Sequence, residues 1–260
     1  FKPHFEAVLK LVQEAASVKA SAMNLSPYDA LLDSYDPGMR CEAIDGYFAQ
    51  LEGFLPSLVD RAIEAQAKKS CLPITDHIPV EKQNALGRQF MHALGFDFNV
   101  GRIDVSAHPF CGGVPGDVRL TTRYKESAFT ESLYGVLHET GHALYEMGLP
   151  KDWMTQPVGK ARGMGMHESQ SLLVEMQLCR GRDFLRFALP KIRAAFGVDG
   201  APWEEENVSR NLTRVQRSLI RVNADEVTYP LHVILRYRIE KQLLSGALSV
   251  TDLPDAWDAS

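Results

Sequence analysis

The chain has 260 residues, 45% of them hydrophobic and 23% charged, an ordinary balance for a soluble globular protein that is long enough to bury one large core or two small ones. Its 28 Lys and Arg against 33 Asp and Glu leave a net charge of −5, which speaks against a nucleic-acid partner because such proteins usually carry a basic stripe. No stretch approaches the ~18 apolar residues of a membrane helix, and no signal-peptide pattern is read at the start.

Taken in chain order, the first third reads as helical. Phe5 to Ala20 places Val8, Leu9, Val12, Ala15 and Ala16 close to a 3.6-residue period. Asp36-Pro37-Gly38 predicts a turn. Ile44 to Gln66 predicts a second long helix, with Gly53 and Pro56 as points where it would kink or divide. Glu81 to Leu94 predicts a third. Phe96 to Val100 alternates apolar and polar residues like a half-buried strand, Gly112 to Gly116 reads as a loop, and Asp117 to Tyr124 as a strand. Thr130 is expected to cap a helix from Glu131 to Met147 that Gly148 and Pro150 end. Beyond a glycine-rich loop (Gly159, Gly163, Gly165), helices are expected over Glu168 to Phe187, Glu204 to Leu219 and Tyr229 to Leu244. No internal repeat is found. The four cysteines, Cys41, Cys71, Cys111 and Cys179, form no CxxC pair, which favours a reduced, cytoplasmic setting. The chain opens at Phe1 without an initiator Met and stops at Trp257-Asp258-Ala259-Ser260 without an obvious terminating element, so 1–260 is read as a piece of a longer protein.

The strongest chemical signal is His138-Glu139-Thr140-Gly141-His142. On a helix the spacing H-E-x-x-H turns both imidazoles to one face, where two neutral rings can share one Zn²⁺. Glu139 is then placed to take a proton from a metal-activated water and deliver it to a leaving amine. Gly141 sits mid-helix, where glycine costs about 1 kcal/mol relative to alanine, and close approach of another segment is one reason to accept it. A catalytic zinc needs a third protein ligand and an open position. The metzincin pattern would require Gly at 145 and His at 148, but Tyr145 and Gly148 stand there, so that class is excluded. Glu146, Glu168 and Glu175 are the third-ligand candidates. Glu146 is one turn beyond His142 and at best flanks the metal. Glu168, at the start of the helix after the glycine-rich loop, is favoured, with Glu175 two turns along as the fallback. His167 is a rival ligand or an outer-sphere partner.

Further segments extend the pattern. His108-Pro109-Phe110, Asp117-Val118-Arg119-Leu120-Thr121, the HExxH pentapeptide, His167-Glu168-Ser169-Gln170 and Ile220-Arg221-Val222-Asn223-Ala224-Asp225 resemble, in this order, the HPF, DxRxT, HExxH, HES(G/Q) and (I/V)RxxAD motifs of the carboxypeptidase Taq family of metallocarboxypeptidases. Tyr28 to Leu32 and Leu231 to Glu240 fit its flanking helices. The resemblance implies a mainly α, zincin-like helical fold with a small β-sheet beside the active-site cleft. It implies release of single C-terminal amino acids from peptides, a Zn²⁺ or Co²⁺ ion and a homodimer, and it supports Glu168 over Glu175. An exopeptidase must read a free α-carboxylate, for which Arg is the natural bidentate partner. Arg221 is assigned that role and Arg119 is the alternative, unless Arg119 serves as a salt-bridge member of its strand. His108 is expected to bind substrate or stabilise an oxyanion. Asp225 is expected to orient Arg221 or a zinc-bound His, or to act as a turn or cap residue. The family is roughly twice as long. Its N-terminal helical region, its C-terminal GxxQDxHW-like segment and its Tyr-bearing segment find no match, so 1–260 reads as a single catalytic-core fragment. The alternatives are a helical zinc endo-oligopeptidase or a catalytically incomplete metal-binding fragment.

Overall fold

A computed structural model describes residues 1–259, apart from the side chain of Asn223. In chain order it contains α1 (Lys2–Met23), α2 (Pro27–Leu32), α3 (Cys41–Ala67), α4 (Val80–Ala93), β1 (Gly101–Val105), β2 (Phe110–Val114), β3 (Asp117–Thr122), α5 (Phe129–Met147), α6 (Met164–Leu172), α7 (Arg182–Phe196), α8 (Glu205–Leu212), α9 (Tyr229–Ser245) and α10 (Leu253–Asp258). The fold is mainly helical with one small sheet. Contacts gather into two compact units, one formed by 1–69 with 215–260 and the other by 70–214.

In the first unit, α2 starts as its sequence dictates: Ser26 caps it by accepting from the Asp29 amide, and Pro27 occupies the first turn, where its missing N–H is no loss. Asp29 then reaches forward and accepts from the Cys41 amide at 2.7 Å, so one carboxylate ties α2 to the start of α3. Helix α3 runs unbroken through Gly53 and Pro56, so neither residue divides it. Buried Leu55 and Val59 flank the proline and hold that stretch in place. Tyr237 of α9 packs edge-on against Phe48 and Tyr28 and donates to Asp45 at 2.8 Å.

The second unit is organised around α5. Its Leu133 and Leu137 pack with Phe90, Leu185, Leu189 and Trp203. Its Val136 and Ala143 pack with Met91, Phe96, Val118 and Leu120 on the sheet side. Burying each large apolar side chain is worth roughly 1.5–3 kcal/mol, so two such faces easily outweigh the ~1 kcal/mol that Gly141 costs the helix. The sheet has the order β1-β3-β2, with β1 parallel and β2 antiparallel to β3.

Several local expectations are corrected. Phe96 to Val100 is a turn, and the strand is Gly101–Val105. Asp97 accepts from both the backbone and side-chain N–H of Asn99, which bends the chain, and Phe96 and Phe98 pack edge-on to each other at 4.8 Å. Gly112 and Gly113 belong to β2, leaving Pro115-Gly116 as a tight link to β3. Gly113 has φ 123°, and a Cβ there would stand 2.1 Å from the Asp117 carbonyl oxygen. Thr130 does not cap α5: the helix begins at Phe129, and Ala128 in the cap position offers no side-chain acceptor. The expected helix Glu168 to Phe187 is α6, a π-helical turn over Leu173–Leu178 and a break at Gly181 before α7. Helix α8 stops at Leu212 instead of running to Leu219.

Candidate metal centre

Helix α5 brings His138 and His142 together because they are one turn apart, and their rings meet edge-on at 5.0 Å. Helix α6 returns against α5 and delivers Glu168. Its Oε2 lies 3.6 Å from His138 Nε2 and 3.2 Å from His142 Nε2. One ligand atom from each residue falls within 4.8 Å of the others, the only such cluster of three among the described residues.

The return is possible because residue 141 is glycine. A Cβ there would stand 2.5 Å from the Gln170 carbonyl oxygen and 2.6 Å from Ser171 Cα. Ser171 is fully buried at this crossing, and its hydroxyl lies 2.7 Å from the Glu168 carbonyl oxygen and 3.1 Å from Glu168 Oε2, either of which it can serve as donor. The close helix crossing and the carboxylate position are therefore one feature.

The donor set fits a divalent ion of borderline softness. A tetrahedral zinc with bonds of about 2.0–2.1 Å separates its ligand atoms by about 3.3 Å, close to the His–Glu distances of 3.6 and 3.2 Å. The charges around the point also suit a cation. Burial disfavours the His138 imidazolium, but the hydrogen bond to Glu175 and the charges of Glu168, Glu175 and Glu139 outweigh it and raise its pKa above the usual histidine range. Burial likewise pushes Glu168 up, while the hydrogen bond to His142, the charges of both histidines and the Ser171 hydroxyl bring its pKa below the usual carboxylate range. Glu139 goes the other way. It is only 6% exposed, and burial, partly countered by His138 and His142 and reinforced by Glu168 and Glu175, raises its pKa.

Behind the two rings lie groups that sequence reading placed differently or missed. Glu175, on the π-helical turn, contacts His138 Nδ1 at 2.9 Å, on the ring edge away from Glu168, so it is not at the convergence point. Arg180, which sequence reading did not single out, donates to Glu175 at 2.8 Å and lies over the Tyr134 ring. His167 Nδ1 meets His142 Nδ1 at 2.7 Å, and His167 Nε2 meets Glu146 at 2.7 Å. Glu146 also lines a cavity of about 670 Å³ together with Met147, Val118, Met154 and Lys160.

His108 is exposed in the loop between β1 and β2, with its carbonyl oxygen taken by the Thr121 hydroxyl at 2.9 Å. Arg119, exposed on β3, is forked onto Asp117 at 2.7–3.1 Å. Arg221 and Asp225 belong to the first unit. Arg221 Nη1 donates to the Tyr229 hydroxyl at 2.9 Å. Buried Asp225 accepts from the amides of Gln216, Val227 and Thr228 and from the Thr228 hydroxyl, which fixes the turn entering α9.

The profile of the carboxypeptidase Taq (M32) metallopeptidases matches residues 1–260. Thermostable carboxypeptidase 1 of Thermus thermophilus is 41% identical over 99% of this chain and 52% of its own length. Carboxypeptidase 1 of Bacillus subtilis is 40% identical over 89% of this chain and 46% of its own. The solved structure of Trypanosoma cruzi metallocarboxypeptidase 1 superposes with a TM-score of 0.94 at 43% identity, covering 99% of this chain and 52% of that one. The chain thus spans about half the length of the curated relatives it matches. It belongs to the carboxypeptidase Taq (M32) family of metallopeptidases.

Proposed function

We propose that 1–260 is the catalytic-core part of a longer metal-dependent carboxypeptidase that releases C-terminal amino acids from peptides. The observation that carries this is the convergence of His138, His142 and Glu168 beside a buried Glu139. The three residues hold the metal, Zn²⁺ by preference with Co²⁺ also accommodated, since imidazole and carboxylate donors accept both. When bound, the ion supplies Lewis acidity, polarising a carbonyl and lowering the pKa of a water toward ~7.

Glu139 is the general base. Its buried carboxylate, with a pKa raised by desolvation, is a better proton acceptor than an exposed one, and it passes the proton on to the departing amine. Arg221 reads the substrate α-carboxylate, its planar fork oriented by the bond to Tyr229. Arg119 is the weaker choice because Asp117 already occupies its fork. His108, with its exposed imidazole, contacts substrate or the developing oxyanion. Asp225 serves Arg221 through the backbone turn it holds, and His167 acts from outside the ligand set.

Peptides with a free C-terminus are the substrates, and a homodimer in the cytoplasm completes the reading. The four free cysteines fit a reducing compartment, and among the described residues no helix is long and apolar enough to cross a membrane.

The test uses the full-length protein on one peptide offered as free acid and as C-terminal amide. Release of the last residue from the acid alone is expected, and equal rates on both would turn the reading toward an endopeptidase. Glu139→Gln should keep the metal and lose hydrolysis. Retained turnover would refute Glu139 as base.

A further inference from the structure

The two histidines are held from behind by arms of different build. A ring that gives Nε2 to a metal must carry its proton on Nδ1, and a carboxylate at Nδ1 both fixes that tautomer and makes the ligand more basic. His138 has such a carboxylate directly, Glu175 at 2.9 Å. Glu175 is in turn gripped by Arg180 at 2.8 Å, and both side chains are largely buried, at 13% and 15% exposed. Arg180 is itself placed by the Leu212 carbonyl oxygen and the Tyr134 ring, which lies one turn before His138 on α5. The π-helical turn Leu173–Leu178 that carries Glu175 inserts an extra residue into that turn, a local geometry often found at functional sites.

His142 has no carboxylate at Nδ1. With its Nδ1–H donated to His167 Nδ1, His167 is left to donate Nε2–H to Glu146. That carboxylate is one imidazole further from the ligand, and its side chain is 31% exposed.

We infer that Glu175 and Arg180 are positioning residues that set the basicity and tautomer of His138, and that this arm governs metal affinity more strongly than the His167–Glu146 relay behind His142. The inference rests on the metal-site reading above and concerns only what the protein residues do to the ligands.

The test is Zn²⁺ affinity of the full-length protein, measured by competition with a chromophoric chelator, beside the unfolding midpoint of the metal-free protein. Glu175→Gln keeps shape and should weaken Zn²⁺ about 10- to 100-fold, the usual range for a partner of a ligating histidine. Glu146→Gln should weaken it less than about tenfold, because the charge it removes stands one imidazole further from the ligating ring. Arg180→Lys, which retains a charge, should recover part of what Arg180→Gln loses. A merely structural role would lower the metal-free midpoint and leave affinity untouched. Unchanged affinity in Glu175→Gln, or a larger loss in Glu146→Gln, overturns the inference while the metal site stands. If the wild-type full-length protein binds no Zn²⁺, the metal-site reading and the inference fall together.

Discussion

Replacing Gly141 with alanine isolates the link between helix packing and the metal site. The new Cβ would lie 2.5 Å from the Gln170 carbonyl oxygen, 2.6 Å from Ser171 Cα and 3.0 Å from the Gln170 carbonyl carbon. All three neighbours are backbone, so no side chain can swing away, and reaching an ordinary contact of about 3.5 Å requires α6 to retreat by about 1 Å. Overpacking of this kind costs about 1–3 kcal/mol, and the better helix propensity of alanine returns about 1 kcal/mol. A net loss of about 0–2 kcal/mol follows, which lowers the melting temperature by no more than about 8 °C in a domain of this size. The functional effect should be larger than the structural one. Glu168 lies one turn before Ser171, so it retreats with α6 from contacts of 3.2 and 3.6 Å to the two histidines. Calorimetry of the metal-free protein and chelator competition for Zn²⁺ read the two effects separately. A small change in melting with a clear loss of affinity is expected. A variant that melts at or above the wild type and binds Zn²⁺ as tightly would refute the claim that this glycine exists to admit α6.

Other outcomes follow from single groups. Burial pushes the Asp29 carboxyl up, but hydrogen bonds from the Cys41 amide and the Ser26 hydroxyl, with the Arg40 charge, bring its pKa below the usual carboxylate range. Such a depressed group adds stability that is fully present above its unfolded pKa of ~3.9 and is lost as pH falls through the folded value. In urea titrations below about pH 4, Asp29→Asn should therefore show a flatter loss of stability than wild type, and parallel curves would dismiss this account. Burial, reinforced by Glu175, raises the Cys179 thiol to about 12. In native protein at about pH 8 Cys179 should stay unmodified by iodoacetamide while the partly exposed Cys71 reacts, and equal labelling by mass spectrometry would contradict it.

Much of the candidate site was legible in local spacing. The i, i+4 pair His138 and His142 needs only a helix to bring it together, and the apolar residues around it predict one. The failures share a cause. Phe96 to Val100 alternates like a strand, yet Asp97 closes a side-chain turn that such periodicity does not register. Pro56 marks a possible break, yet α3 continues through it beside buried Leu55 and Val59. Leu173–Leu178 carries a helical pattern that does not distinguish a π turn from an α turn, although one inserted residue re-aims every side chain after it.

Residue types and their spacing set the chemistry available: two imidazoles on one helix face, a carboxylate between them, a short set of third-ligand candidates and a glycine with an unexplained helix cost. Tertiary structure decided which carboxylate stands where. Glu168, Glu175 and Glu146 are the same kind of group at helical positions, and no periodicity distinguishes their uses. The crossing of α6 over Gly141 aims Glu168 at both Nε2 atoms, the π turn sends Glu175 behind His138, and His167 stands between Glu146 and His142. Spacing along one helix sets which side chains share a face. Only the approach of a second helix sets the point at which they meet.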